Sequence, residues 1–345
     1  MTEHVRGRKI TVRDVAAAAG VSPATASRAL AGHTSVDPEL ARRVLRASSD
    51  LGYRANALAR ALRTQRTDTI GMVVPSISNP YFVAAVEAVE QVLADSDRAL
   101  LLCDAREDTD VEASRIDLLV HRMVDGLIVV PVATDASAAA LEHASRQLPV
   151  VQLDRFVDAA PTDFVGSDNA VGVGACVQHL RARGARRIAF VGARPTTSTA
   201  AERLRAFRDH VDEQECPDAW LLLGGFTAEW GRAAARSLLA GMEGGTGGGA
   251  DLPDAIVCGA DVIAVALVAE LRAAGVQVPE RVAIVSYDDS TLGALTVPPL
   301  TSVSQPVDAM AREAVRLLDH RRDHPGAAVH KSVFPPELVV RGSTA

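Results

Sequence analysis

Beyond residue 68 the chain alternates short unbroken apolar runs with longer stretches in which apolar residues return every three or four positions. Ile70-Gly71-Met72-Val73-Val74, Ala99-Leu100-Leu101-Leu102, Gly126-Leu127-Ile128-Val129-Val130 and Val150-Val151-Gln152-Leu153 read as strands, with helical stretches at 80–94, 110–122 and 137–147 between them. A second series begins after Asp168-Asn169. It has a helix to Arg183, strand 187–191, helix 200–211, a strand near Leu221, helix 228–239, strand 255–258, helix 261–274 and strand 282–285. Continuous apolar strands alternating with helices predict parallel sheets covered on both faces, and two series predict two doubly wound α/β subdomains.

The first 66 residues follow a different pattern. Thr11-Val12-Arg13-Asp14 has the form of a capping box, the helix after it ends at Gly20, and Ser22-Pro23 can cap and start a second helix that runs to Leu30. Two short helices joined around a glycine make a helix-turn-helix. Asp37-Pro38-Glu39 starts a third helix, expected to carry Leu40, Val44, Leu45 and Leu51 on one face before Gly52. Residues 64–68 lack apolar periodicity and read as a linker.

Charge sharpens this division. The whole chain is formally −7, but residues 1–66 hold twelve Lys/Arg against five Asp/Glu, which makes that segment +7 and leaves the rest at −14. A basic module joined to an acidic body suits a small nucleic-acid reader attached to a larger domain, and on charge alone equally suits a solvated basic surface. The four cysteines, Cys103, Cys176, Cys216 and Cys258, are widely spaced without a CxxC pair, so neither a disulfide framework nor a metal site is expected. The amino terminus lacks the apolar core of a signal peptide, and no run of 18 apolar residues occurs. A cytoplasmic protein without membrane contact is expected. The glycine run at 244–249 has no following Lys-Ser/Thr and reads as a loop, not a phosphate cradle.

In a helix-turn-helix the second helix enters the major groove, where Ala24, Thr25 and Arg28 would face base edges, Arg28 suiting guanine O6/N7. Thr11, Ser22 and Ser27 suit phosphate oxygens. In the body, ligands of parallel sheets bind where strands end. The residues just past the strands include Ser76, Ser78 and Asn79, then Asp154 and Arg155, then 196–199, then Phe226, Asp261 and Asp288. Carboxylates, hydroxyls, arginines and an aromatic face suit a small polyhydroxylated ligand. An aspartate past a strand is also often a helix cap, and Tyr81 and Phe82 equally suit a core.

These strings resemble the lactose-repressor/galactose-repressor transcription factors. In the head they are Thr11-Val12-Arg13-Asp14-Val15-Ala16, Ala19-Gly20-Val21-Ser22, Thr25, Ser27-Arg28 and the run from Leu51 to Leu62. In the body they include Ser78-Asn79-Pro80-Tyr81-Phe82, Val165-Gly166-Ser167-Asp168-Asn169, Glu202-Arg203-Leu204 and Tyr287-Asp288-Asp289, so the likeness spans residues 11–344. The resemblance implies an α/β protein with a three-helix head, a hinge helix and a periplasmic-binding-protein-like core. Its parts would be a DNA-binding domain at 1–55, a hinge helix and linker at 56–67, and a dimerising effector domain at 68–345. The subdomains would take about 68–166 with 296–325 and about 167–295 with 326–345. By resemblance Tyr53, Asn56, Ala59 and Leu62 join the DNA contacts, Leu62 as a wedge between base pairs. Asp154, Asp168, Arg203, Phe226, Asp261 and Asp288 would touch effector, with Ser76, Asn79, Tyr81, Phe82 and Thr197 around them. Thr197 stands where purine-sensing members have arginine, which favours a sugar.

The function implied is a homodimeric regulator, a repressor of transcription, that binds a pseudo-palindromic operator and is controlled by a sugar effector, with no cofactor. Two other classes fit the sequence less well. An enzyme lacks support from any nucleophile elbow, dinucleotide fingerprint or metal cluster. A transport solute-binding protein is opposed by the basic head.

Overall fold

The computed structural model describes residues 10–30, 35–53, 66–243 and 252–345. The chain divides into two compact units, Met1–Thr67 and Asp68–Ala345. The hinge segment expected from residue 56 and the glycine run at 244–249 lie outside the described residues.

The first unit is built of α1 (Val12–Ala19), α2 (Pro23–Leu30) and α3 (Pro38–Asp50). The capping box at Thr11 is formed in both directions: the Asp14 N–H donates to Thr11 Oγ1 at 3.4 Å and the Thr11 N–H to Asp14 Oδ2 at 2.8 Å. Gly20 stops α1 with φ +63°, and a side chain there would also meet Arg43, whose Nη2 donates 2.6 Å to Ala19 O at the same helix end. Val15, Ala16, Ala19, Ala26, Ala29, Val36, Val44 and Ala47 form the core. With so many alanines the helices approach closely. Leu45 and Leu51 do not join it, being 54% and 37% exposed. The buried stripe on α3 follows Leu40, Val44 and Ala47, and Leu45 lies about 100° round the helix from Val44.

The second unit contains two six-stranded sheets. The first takes β1 (Thr69–Val74), β2 (Ala99–Asp104), β3 (Gly126–Val129), β4 (Val150–Leu153) and β5 (Asp163–Ser167), with β11 (Lys331–Phe334) at its edge, in the order β2-β1-β3-β4-β5-β11. Every pairing in it is parallel. The second takes β6 (Ile188–Ala193), β7 (Leu221–Gly224), β8 (Ala255–Cys258), β9 (Ala283–Tyr287) and β10 (Thr301–Ser304), ordered β7-β6-β8-β9-β10, with β12 (Glu337–Val339) antiparallel on β10. The strand order of the first sheet is thus repeated in the second. The helices between the strands are α4 (Pro80–Ala94), α5 (Thr109–His121), α6 (Ala138–Ser145), α7 (Asn169–Ala182), α8 (Ser198–His210), α9 (Ala228–Glu243), α10 (Asp261–Ala273), the short α11 (Thr291–Ala294) and α12 (Val307–Asp323).

The expected partition of the subdomains needs correction. β10 pairs with β9 through Thr301–Val285 and Val303–Tyr287, so residues 301–304 belong to the second sheet, not the first. β11 pairs with β5 from Lys331–Phe164 to Phe334–Ser167, so residues 331–334 belong to the first. Between them α12 packs on the first sheet through Met310, Ala311, Ala314, Val315, Leu317 and Leu318, in one core with Tyr81, Phe82, Ala85 and Val89 of α4. The chain therefore crosses between subdomains three times, after Ser167, after Ser304 and after Phe334. Among the described residues no helix is long and apolar enough to cross a membrane.

Candidate functional site

Asp154 and Asp288 stand just past β4 and β9, matching places in the repeated strand order. Both have left-handed backbones, with φ of +64° and +104°, a conformation that costs a non-glycine residue about 1–3 kcal/mol and persists only where its surroundings fix it. The neighbouring strand fixes it in each case. The Asp154 N–H donates to Val165 O at 2.8 Å and the Asp288 N–H to Val303 O at 2.9 Å.

The two carboxylates are joined across the cleft. Tyr81, in the first turn of α4, donates its hydroxyl to Asp154 Oδ1 at 2.8 Å. Gln305, the residue after β10, donates from Nε2 to Asp288 Oδ1 at 2.9 Å, while its Oε1 lies 3.4 Å from the Tyr81 hydroxyl. Arg203 on α8 completes the cluster. Its Nε donates to Asn169 Oδ1 at 2.8 Å and its Nη1 to Gly259 O at 2.7 Å, with Asp288 Oδ1 3.7 Å away. The guanidinium also stands 3.6 Å over the Tyr287 ring, and Asn169 in turn donates to Glu202.

Arg155 lies between two aromatic faces, its guanidinium carbon 5.2 Å from the Phe82 centroid and 5.4 Å from that of Phe226. Its Nε is buried without a hydrogen-bond partner, and Asp154 Oδ2 is 4.0 Å away. Asp261 is braced instead by Ser302 Oγ at 2.8 Å and the Ser290 N–H at 2.6 Å. At the rim, the Thr134 N–H donates to Thr196 O at 3.1 Å and the Phe156 N–H to Ser198 Oγ at 2.9 Å, which closes the subdomains on each other.

Burial sets the electrostatics. It pushes Asp288 up to about 8 against the pull of Arg203, with Asp261 and Asp154 pushing the same way. It also raises Asp154, opposed by Arg203 and Arg155, and Asp261, opposed by hydrogen bonds from serines. Tyr81 is raised well above the ordinary phenol value, by burial first and then by Asp154. Arg203 stays charged: burial works against it, and Asp288 and its neighbours more than offset that. Such a site holds carboxylates short of donors, and hydroxyl groups of a ligand would supply them.

Of the residues expected at this site, Tyr81, Phe82, Asp154, Arg203, Phe226 and Asp288 converge. Ser76, Asn79, Asp168 and Thr197 are placed in turns and caps. Ser76 Oγ bonds Ser78 Oγ at 2.7 Å, Asn79 caps α4, Asp168 caps α7 and Thr197 caps α8. Arg155, expected past β4 from its place in the sequence, joins the converging residues between the two rings. Asn169, Tyr287 and Gln305 were not among the expected contacts, although Asn169 and Tyr287 sit inside strings already singled out. Gln305 gave little signal, because the strand before it, Thr-Ser-Val-Ser, is not an apolar run.

In the first unit Ser22, just before α2, Ala24 in its first turn and Arg28 in its last turn are exposed, with Thr25 and Ser27 half-buried. Ser22 Oγ accepts the Thr25 N–H at 3.1 Å and bonds Thr25 Oγ1 at 2.9 Å, so it caps α2. Arg28 Nε reaches back to Ala24 O at 3.4 Å, which lays the guanidinium along the exposed face. Tyr53 packs against the three-helix core. Asn56, Ala59 and Leu62 lie outside the described residues.

Comparison with known proteins bears on both units. Residues 11–56 match the model of bacterial regulatory proteins of the lacI family, and residues 177–344 match that of the periplasmic binding protein-like domain. The HTH-type transcriptional regulator DegA of Bacillus subtilis is 30% identical over 341 residues, covering 98% of both chains. The structure of a complex of the transcriptional regulator CelR with cellobiose aligns with 31% identity and a TM-score of 0.69, over 97% of this chain and 99% of that one. The Lac repressor dimer bound to operator and the anti-inducer ONPF shares the fold with a TM-score of 0.85 at 23% identity, over 98% and 99% of the two chains. With both domain types matched in order and a relative alike from end to end, the chain belongs to the lacI family of bacterial regulatory proteins.

Proposed function

We propose that the protein is a homodimeric, sequence-specific transcriptional repressor whose affinity for operator DNA is set by a sugar bound between its two subdomains. Residues 1–55 read the DNA, 56–67 form the hinge and 68–345 bind the effector and dimerise. The observation that carries the effector assignment is the buried chain from Asp154 through Tyr81 and Gln305 to Asp288, with Arg203 beside it. It links both subdomains through groups that hydrogen-bond well to hydroxyls. The structure of the CelR relative is a complex with cellobiose, which supports a sugar.

In the head, Ala24, Thr25 and Arg28 meet base edges, Thr11, Ser22, Ser27 and Tyr53 position the backbone, and Asn56, Ala59 and Leu62 act in the minor groove. In the cleft, Tyr81, Phe82, Asp154, Arg203, Phe226 and Asp288 contact the sugar, with Ser76, Asn79, Asp168, Thr197 and Asp261 around them. Two exposed apolar patches suit a second copy of the chain. One is the edge strand β2, with Leu101 at 41% and Leu102 at 42% exposure, and the other is Leu292, Leu295 and Val297, at 50%, 74% and 71%. The protein works in the cytoplasm and turns nothing over. Sugar binding alters the relation of the subdomains, and by linkage each ligand alters the affinity of the other to the same extent.

The test is a thermal-shift screen of the full chain against neutral sugars and sugar phosphates, then operator binding with each hit. A stabilising sugar is expected to change operator affinity, and a chain lacking residues 1–66 to keep the sugar response and lose operator binding. Operator binding by that truncated chain would overturn the division of labour.

A further inference from the structure

Residues 341–345 do not trail from the second subdomain but are built into it. Ser343 and Thr344, in the turn Gly342–Thr344, are buried. The Ser343 N–H donates to Pro299 O at 2.9 Å, and Ser343 Oγ accepts the Thr301 N–H at 2.8 Å. Thr344 Oγ1 lies 2.7 Å from Thr301 Oγ1 and 2.8 Å from His179 Nε2 on α7. These bonds pin Arg341 beside β10, where its N–H donates to Thr301 Oγ1 at 2.8 Å and its Nη1 to Leu300 O at 2.9 Å. Its Nη2 stands 2.7 Å from Asp289 Oδ1, an ion pair off the line of a hydrogen bond.

Asp289 directly follows the cleft carboxylate Asp288, and its backbone is left-handed as well, φ +49° after +104°. At the matching place in the first sheet Asp154 is left-handed alone, and Arg155 after it is not. Two such residues in succession persist only where their surroundings hold them. The Asp289 N–H donates to Ser302 Oγ at 3.0 Å and the Ser290 N–H to Asp261 Oδ2 at 2.6 Å, which ties the backbone on either side. Among the described residues, Arg341 is the cation paired with the Asp289 carboxylate. Asp289 Oδ1 is buried, so without that charge the carboxylate is drawn toward water and the left-handed pair turns with it.

We propose that Arg341 is a positioning residue of the effector site, which through Asp289 holds the left-handed pair and keeps the Asp288 carboxylate beside Gln305 and Arg203. The segment 341–345 thereby belongs to the sensing machinery, although it acts on the effector only through the 288–290 loop. This rests on the reading of the cleft as a sugar site. The arrangement separates the charge that matters from the stem that carries it. R341M keeps most of the stem and removes the charge, R341K restores a charge at the same reach, and D289N removes the other half of the pair.

Two measurements on the full chain test this. The first, amide hydrogen exchange read by mass spectrometry, needs no sugar. Exchange at 288–290 is expected to rise at least about tenfold in R341M and in D289N, to return toward the parent value in R341K, and to stay unchanged at β8. The second is a thermal-shift titration with a panel of neutral sugars that includes cellobiose. Affinity is expected to fall about tenfold in R341M and in D289N, and no further when the two are combined, because both act through one pair. Unchanged exchange at 288–290 in R341M, a rise that spreads to β8, or losses of affinity that add in the double variant overturns the proposal. If the parent chain answers to no sugar while R341M still loses protection at 288–290 alone, the hold of Arg341 on the loop is supported and the sugar reading is what falls.

Discussion

The two sheets of the large unit carry the same strand order and the same left-handed aspartate past the fourth strand, yet the two carboxylates are supported differently. Asp154 receives a hydroxyl from Tyr81 on its own subdomain, whereas Asp288 depends on Gln305, at the crossover, and on Arg203 at 3.7 Å. Backbone repetition fixes where each carboxylate stands, and side chains from other elements decide its charge. Burial raises both carboxylates, and at Asp288, where it meets two other carboxylates and one shared guanidinium, it pushes the group up to about 8.

The sharpest way to break this comparison is to remove the shared guanidinium. Arg203 is 4% exposed, donates to Asn169 Oδ1 and Gly259 O and faces Asp288 Oδ1 at 3.7 Å, so R203L leaves buried acceptors without a partner. Loss of one member of a buried charged network costs about 3–5 kcal/mol. The urea midpoint should fall accordingly, and effector binding should disappear in a thermal-shift titration. Because both halves of the site lean on Arg203, a stability loss below about 1 kcal/mol would show that the halves are supported independently.

The next test separates the two aspartates by their response to pH. In the free protein Asp288 keeps its proton until about pH 8. A sugar hydroxyl donating to the carboxylate favours the charged form, so binding below that pH releases a proton. Effector affinity should therefore rise with pH, by up to about tenfold per unit, and level off above about 8. D288N should flatten this slope, and D154N should weaken binding while the slope persists. Calorimetry in buffers of different ionisation enthalpy measures the proton directly. If D154N flattened the profile and D288N did not, the assignment of the titrating group would be reversed.

How much of this was legible in the sequence follows the same division between backbone and side-chain support. The capping box at Thr11, the stop at Gly20 and strands β1 to β4 are local features, written in caps, glycines and apolar runs, and they could be read directly. β5, β10, β11 and β12 are short and partly polar, with sequences such as Thr-Ser-Val-Ser, and become strands only because a neighbour offers a free edge. Misplacing them displaced the subdomain crossovers and hid Gln305, whose role exists only once β10 ends beside Asp288. Leu45 failed for a simpler reason: an apolar residue one position off the helical stripe faces outward. Asp168 and Thr197 show the limit of position as a guide, since a polar residue before a helix serves the cap whether or not a ligand comes near.

The smallest effect expected comes from the better supported half. Y81F removes the hydroxyl that Asp154 accepts at 2.8 Å and leaves the ring in the core shared by α4 and α12. A hydrogen bond to a charged acceptor contributes roughly 1.5–3 kcal/mol, and Asp154 still has Arg203 and Arg155 as opposing charges, so the loss in unfolding free energy should sit near the lower bound. Effector binding should weaken but survive, and the pH slope should remain, because Asp288 keeps both its supports. The comparison turns on the ratio of this loss to that of R203L. Equal losses would mean that Tyr81 and Arg203 serve one undivided network, whereas a loss several-fold smaller in Y81F means that the repeated aspartates sit in two unequal settings.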